Sequence, residues 1–147
     1  MISTTSKVAI STLEFSSSAP FYVIMEVYFF RGMNMKETVY FGTYTRRVSQ
    51  GIYKAEFDTE TGQLANLELF AAEPSPTYLA FDQDQHLYTV GSHDGKGGVA
   101  AYKIDGSLLN HVVEEGAPHC YVAVDEKRGL VYGANYHKGQ VLVYKRK

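Results

Sequence analysis

A single cysteine, Cys120, leaves this chain with no internal disulfide to form, and a lone thiol suits a reducing cytoplasm. Tryptophan is absent. The formal charge of −2 and the isoelectric point near 6.2 provide no broad basic field, which makes nucleic acid a poor partner and a small molecule a better one. Long apolar runs are also missing. The strongest, Phe21 to Phe30, falls short of the roughly 20 apolar residues a membrane helix needs, and Glu26 interrupts it. Only Lys7 supplies a basic side chain ahead of that run and no small-residue cleavage site follows it, so it does not read as a secretory signal. Neither a membrane nor a nucleic acid is expected as a partner.

What is present points to strands. Twelve tyrosines, eight phenylalanines and thirteen glycines suit pleated, half-buried surfaces joined by tight turns. The balance of 45% apolar and 20% charged residues is that of an ordinary globular chain. Residues 1–34 read differently, with Ser3, Thr4, Thr5, Ser6 and then Ser16, Ser17, Ser18 ahead of the apolar run. Arg31-Gly32 can be encoded by a purine-rich stretch shortly before Met35, as in a translated ribosome-binding site. The expectation is a native start at Met35 or Met33, with residues 1–34 a non-native or disordered extension. The other reading is a real extra strand at Phe21–Phe30.

From residue 36 a repeat emerges. Val39-Tyr40-Phe41-Gly42-Thr43-Tyr44 is echoed by Leu87-Tyr88-Thr89-Val90-Gly91-Ser92 and by Val131-Tyr132-Gly133-Ala134-Asn135-Tyr136, the tyrosines lying 48 and then 44 residues apart. A period of this size marks an array of supersecondary units. Each copy continues through a polar loop into a glycine and an alternating strand, at Gly51-Ile52-Tyr53, Gly98-Val99-Ala100 and Gly139-Gln140-Val141. Pro76 to Asp82 corresponds to Pro118 to Asp125 with one residue inserted. The pattern predicts ten strands, near 38–45, 51–58, 64–72, 78–82, 86–92, 98–104, 110–114, 120–125, 130–135 and 140–145. Four antiparallel strands per repeat make a propeller blade, and rings of about 4–8 blades are usual. The fold class is therefore all-β, a partial β-propeller of about two and a half blades. The last strand ends inside a blade, so the expectation is a truncated ring.

Three stretches carry a family resemblance: Phe41-Gly42-Thr43-Tyr44-Thr45 with Ser49-Gln50-Gly51-Ile52-Tyr53, then Pro74-Ser75-Pro76-Thr77-Tyr78-Leu79, then Gly116-Ala117-Pro118-His119 leading to Gly133-Ala134-Asn135-Tyr136. Their order and spacing resemble the seven-bladed propeller lactonases, the cycloisomerase-like group that includes 6-phosphogluconolactonases. The resemblance implies hydrolysis of a sugar lactone, 6-phosphogluconolactone to 6-phosphogluconate in the pentose phosphate pathway, with no metal or organic cofactor. It also implies a catalytic His, Arg and Glu in later blades.

In a propeller, the loop after the second strand and the loop entering the innermost strand share one face. Tyr44, Thr45, Ser92, His93, His119, Asn135 and Tyr136 are expected on that rim, all but Ser92 as substrate-binding candidates. His119, after Pro118, is the best catalytic candidate, as a base or donor reaching the channel; the alternative is an imidazole hydrogen-bonded within its own blade. Asn135 and Tyr136 either donate to substrate oxygens or form an Asx-type turn with tyrosine packed between blades. The run Gly91 to Gly98 around His93 fits neither the Walker spacing nor a dinucleotide fingerprint, and reads as a flexible loop from which Lys96 could meet a phosphate. His86, His111 and His137 lack metal-ligand spacing, so no metal is expected. Cys120 reads as a small core residue. The rival readings are a non-catalytic propeller scaffold and a muconate-type cycloisomerase whose Arg46 and Arg47 would take carboxylates.

Overall fold

The computed structural model describes residues 36–147 and a two-residue strand at Val23–Ile24. The expected alternative start, and the rest of the strand read at Phe21–Phe30, lie outside the described residues. Eleven strands are described: β1 Val23–Ile24, β2 Lys36–Thr43, β3 Gly51–Asp58, β4 Leu64–Ala72, β5 Leu79–Phe81, β6 Leu87–His93, β7 Lys96–Tyr102, β8 Leu108–Glu114, β9 Tyr121–Asp125, β10 Leu130–Asn135 and β11 Gln140–Lys145. They form three antiparallel sheets in the orders β1-β2-β3-β4, β5-β6-β7-β8 and β9-β10-β11. Among the described residues there is no helix.

The ten expected strands are all present, and the first blade gains a fourth. Val23 pairs with Thr43 and Ile24 with Gly42, on the edge of β2 that faces away from β3. An edge strand carries a row of unpaired backbone groups, and β1 satisfies part of that row. The hairpins follow local turn chemistry. Asp58 Oδ1 accepts the backbone N–H groups of Glu60 and Thr61 at 2.9 Å each, and Asp105 Oδ1 accepts from Ser107 N at 2.9 Å, beside Gly106 at φ 85°.

One reading of the Gly91–Gly98 run is corrected. It is no flexible loop: β6 and β7 pair through His93 and Lys96, leaving Asp94 (φ 51°) and Gly95 (φ 77°) as a two-residue hairpin. Both central residues of such a turn need positive φ, which Asp-Gly supplies.

Period-two alternation gives each blade two faces, and the apolar residues collect in the seams. Tyr40, Ile52, Phe70 and Ala71 of the first blade meet Leu79, Leu87, Ala100 and Tyr102 of the second. Ala80, Val90 and Val99 of the second meet Val122 and Val131 of the third, with Tyr88, Val124 and Tyr144 packed alongside. Ile52, Leu79 and Leu87 are fully buried, each worth about 1.5–3 kcal/mol of transfer free energy. Stacking of repeats thus provides the core that a single blade lacks.

Candidate functional site

Because the strands alternate in direction, β2, β4, β6, β8 and β10 all end on the same side. The connections that follow them form one rim. Contacts between these connections fix it. Thr45 N donates to Ser75 Oγ (3.3 Å) and Ser75 N donates to Thr45 Oγ1 (3.1 Å), tying the loop after β2 to the one after β4. Asn135 Nδ2 donates to the Ala117 carbonyl at 2.8 Å, tying the loop after β10 to the one after β8. Lys138 Nζ reaches Glu114 Oε1 at 2.9 Å across the same gap.

The expected rim residues divide into two groups. Tyr44, His93 and Tyr136 are exposed, the last at 74%. Arg46 lies over the Tyr44 ring, 5.5 Å from its centroid, and Tyr136 leans on His137 at 3.9 Å rather than packing between blades. His93 stacks on His111, with centroids 4.7 Å apart and planes 14° from parallel, and its Nε2 is 3.4 Å from Asp94 Oδ2. Lys96, the cation suggested for phosphate, is paired with Glu115 at 2.9 Å.

The second group is committed to the scaffold. Asn135 is buried; besides its bond to Ala117, its Oδ1 accepts from Lys138 N at 3.3 Å, the Asx-type arrangement. Thr45 holds the loop as described, and Ser92 N donates to Glu73 Oε1 at 3.2 Å. His119 is only 2% exposed, and its Nε2 lies 2.5 Å from the Tyr144 hydroxyl of its own blade. Burial pushes the imidazole pKa below its ordinary value, and burial followed by Glu114 pushes the Tyr144 phenol up to about 12. The pair is therefore a neutral imidazole against a protonated phenol. His119 Nδ1 is buried with no hydrogen-bond partner among the described residues.

Sequence reasoning missed the most heavily bonded side chain near the rim. Glu73, 2% exposed, enters the seam between the first two blades just after β4. Its Oε2 accepts from the Tyr102 hydroxyl at 2.5 Å and meets His111 Nε2 at 2.8 Å, while Oε1 takes Ser92 N. Desolvation first, and then the carboxylate, raise the Tyr102 phenol pKa far above its usual range. An added Cβ on Gly91 would overlap Glu73 Oε1, so the glycine makes the room. The signal available in sequence was small: an acid between an apolar strand and a proline.

On the opposite side of the molecule, Asp82, Asp84 and His86 bring ligand-type atoms within 4.8 Å of one another. Arg146 already neutralises this cluster, with Nη2 at 3.0 Å from Asp82 and 3.2 Å from Asp84 and Nη1 at 2.6 Å from Glu126. Burial alone would raise the Asp82 carboxyl pKa, but hydrogen bonds from His86 N, the His86 ring and Tyr88 hold it below the ordinary value. Tyr88, mainly through burial, is pushed up to about 12.

Comparison with known proteins gives a consistent picture. Residues 38–147 match the family model described as lactonase, 7-bladed beta-propeller. The uncharacterized protein YwcC of Lactococcus lactis is 50% identical over 114 residues, covering 76% of this chain and 33% of that protein. The 6-phosphogluconolactonase of Bacillus subtilis is 45% identical over 111 residues, 71% of this chain and 32% of that one. The crystal structure of a Lactobacillus plantarum protein superposes with a TM-score of 0.73 at 52% identity, covering 76% of this chain and 33% of the other. The chain spans about a third of the length of the relatives it matches.

Proposed function

Because the chain belongs to the seven-bladed β-propeller lactonase family, we propose that it serves the hydrolysis of a sugar lactone, with 6-phosphogluconolactone as substrate and 6-phosphogluconate as product, in the cytoplasmic pentose phosphate pathway. The observation that carries this reading is the 45% identity to the Bacillus subtilis 6-phosphogluconolactonase over 111 residues. Opening a lactone requires a base near the attacking water and donors near the developing oxyanion. Within the described rim, Tyr44, His93 and Tyr136 are the groups free to touch a hydroxylated ligand. Thr45, His119 and Asn135 act one step back, holding the loops that present them. His119 in this reading is a positioning residue, since its Nε2 is taken by Tyr144. The described residues bind and orient the substrate rather than transfer its proton.

The product is the stable probe. Titrating the isotopically labelled chain with 6-phosphogluconate is expected to shift resonances of Tyr44, His93 and Tyr136 together, in a saturable way. No shift at about 10 mM, well above the usual range of KM, or shifts confined to the Asp82 side, would count against the reading.

A further inference from the structure

The connections that follow the second strand of each blade all lie on the rim, but they differ in length. The second blade turns through residues 94–95 and the third through 136–139, whereas the first uses the longer stretch 44–50. That extra chain is anchored. Thr43 Oγ1 donates to the Gly51 carbonyl at 2.6 Å and meets Ser49 Oγ, which closes the base of the loop, and Gln50 N donates to the Tyr53 hydroxyl at 3.1 Å. The reciprocal bonds of Thr45 and Ser75 tie its first turn to the connection leading into β5. Ser75 stands between two prolines at φ 47°, a left-handed conformation unfavourable for a residue other than glycine. A loop longer than its repeats require, held at its base and against a strained partner, is a place where binding groups concentrate.

Charge singles out the same loop. The rim lysines are already neutralised, Lys96 by Glu115 and Lys138 by Glu114, each at 2.9 Å. Arg46 and Arg47 are both exposed, and among the described residues neither has a carboxylate within ion-pair distance. No Asp or Glu stands between Glu37 and Glu56 in the sequence, and Glu73, on the connection that carries Ser75, is buried against Tyr102 and His111. The cation over the Tyr44 ring is Arg46, so the plane of its guanidinium has a partner that orients it. Two adjacent guanidinium charges thus stand uncompensated on an anchored loop.

We propose that Arg46 and Arg47 form a phosphate subsite of the rim, taking the phosphoryl group of a sugar phosphate while Tyr44 packs beside its carbon chain. The assignment rests on the lactonase reading above and names which end of the substrate this loop holds. A phosphate monoester carries close to two negative charges at neutral pH, which two arginines match and one does not. The guanidinium fork offers paired N–H donors to two phosphate oxygens at once, a geometry a lysine lacks.

Chemical-shift titration of the isotopically labelled 147-residue chain tests this with three probes: 6-phosphogluconate, glucose 6-phosphate and gluconate. Glucose 6-phosphate keeps the phosphate without the carboxylate, and gluconate the reverse. 6-Phosphogluconate is expected to move Tyr44, His93, Tyr136 and the Nε–H signals of both arginines, glucose 6-phosphate to move the arginine signals, and gluconate to bind at least about tenfold more weakly. The Arg46→Gln, Arg47→Gln double variant should weaken 6-phosphogluconate about ten- to hundredfold and leave the weaker gluconate binding unchanged. Both positions are exposed, and circular dichroism checks that the variant keeps its fold. Equal 6-phosphogluconate midpoints in parent and variant would overturn the subsite while leaving the lactonase reading in place. An equal loss for gluconate would overturn it too, assigning the arginines to the carboxylate. Arginine and Tyr44 shifts from both phosphates, with His93 and Tyr136 unmoved, would support the subsite and count against the lactonase reading. No response of the parent to any probe at about 10 mM would overturn both.

Discussion

Replacing Glu73 with alanine is expected to destabilise the chain by about 3–5 kcal/mol, because it strips one buried group from three partners at once. Tyr102, His111 and Ser92 N all turn toward that carboxylate, and the buried Tyr102 hydroxyl has no water to fall back on inside the seam. For a domain whose total stability is of the order of 5–15 kcal/mol, this approaches unfolding. Glu73→Gln keeps the shape and loses the charge, and should cost less, about 1–3 kcal/mol. Urea denaturation followed by circular dichroism measures both. A loss below about 1 kcal/mol for Glu73→Ala would mean that the first two blades are held by their apolar seam alone.

The second large effect is expected at Gly133. An added Cβ there would overlap the His119 ring, so Gly133→Thr should force the imidazole out at a cost of about 1–3 kcal/mol or more. The second blade shows how the conflict is resolved. Where the third has His119 and Gly133, the second has Thr77 and Thr89, with Thr89 fully buried. The His119→Thr, Gly133→Thr double variant is therefore expected to recover most of the loss, which a double-mutant cycle would record as strong coupling. The same pair carries a pH signature. The folded-state pKa of His119 is depressed, so the unfolded chain binds a proton that the folded chain refuses. Stability is complete above the unfolded value of about 6.5 and falls as pH drops below it toward the folded value. Denaturation midpoints between about pH 7.5 and 5 should decline in the parent, with this contribution absent in His119→Thr. An unchanged slope in the variant would place the titration elsewhere.

The architecture was legible because it is written three times. The tyrosines at 40, 88 and 132 mark the same position of the second strand in each blade, and Tyr40 and Tyr88 pack into the seam with the following blade, which is why spacing alone located ten strands. The Asp94-Gly95 hairpin was legible too, but glycines on both sides of it masked a two-residue turn inside a longer glycine-rich run. The fourth strand of the first blade was not read as part of that blade, since no repeat partner marks Val23–Ile24. The connections read as one rim share one side of the molecule, whereas the commitments of their side chains were hidden. His119 and Tyr144 are 25 residues apart, and Glu73 and His111 are 38 apart, on different blades. Such partners arise from seam geometry, and no local spacing encodes them. Asn135 is the intermediate case: its turn is local, while its bond to Ala117 crosses 18 residues.

The measurement that bears most directly on the whole account is the hydrolysis rate of 6-phosphogluconolactone, corrected for spontaneous opening, by a chimera in which residues 38–147 replace the matching stretch of the Bacillus subtilis 6-phosphogluconolactonase. If these blades supply a lactonase rim, the folded chimera should retain kcat/KM within about tenfold of the parent enzyme, and Tyr44→Ala or Tyr136→Ala should raise KM with little change in kcat. A folded chimera with no rate above the spontaneous one, or one indifferent to both tyrosines, would contradict it.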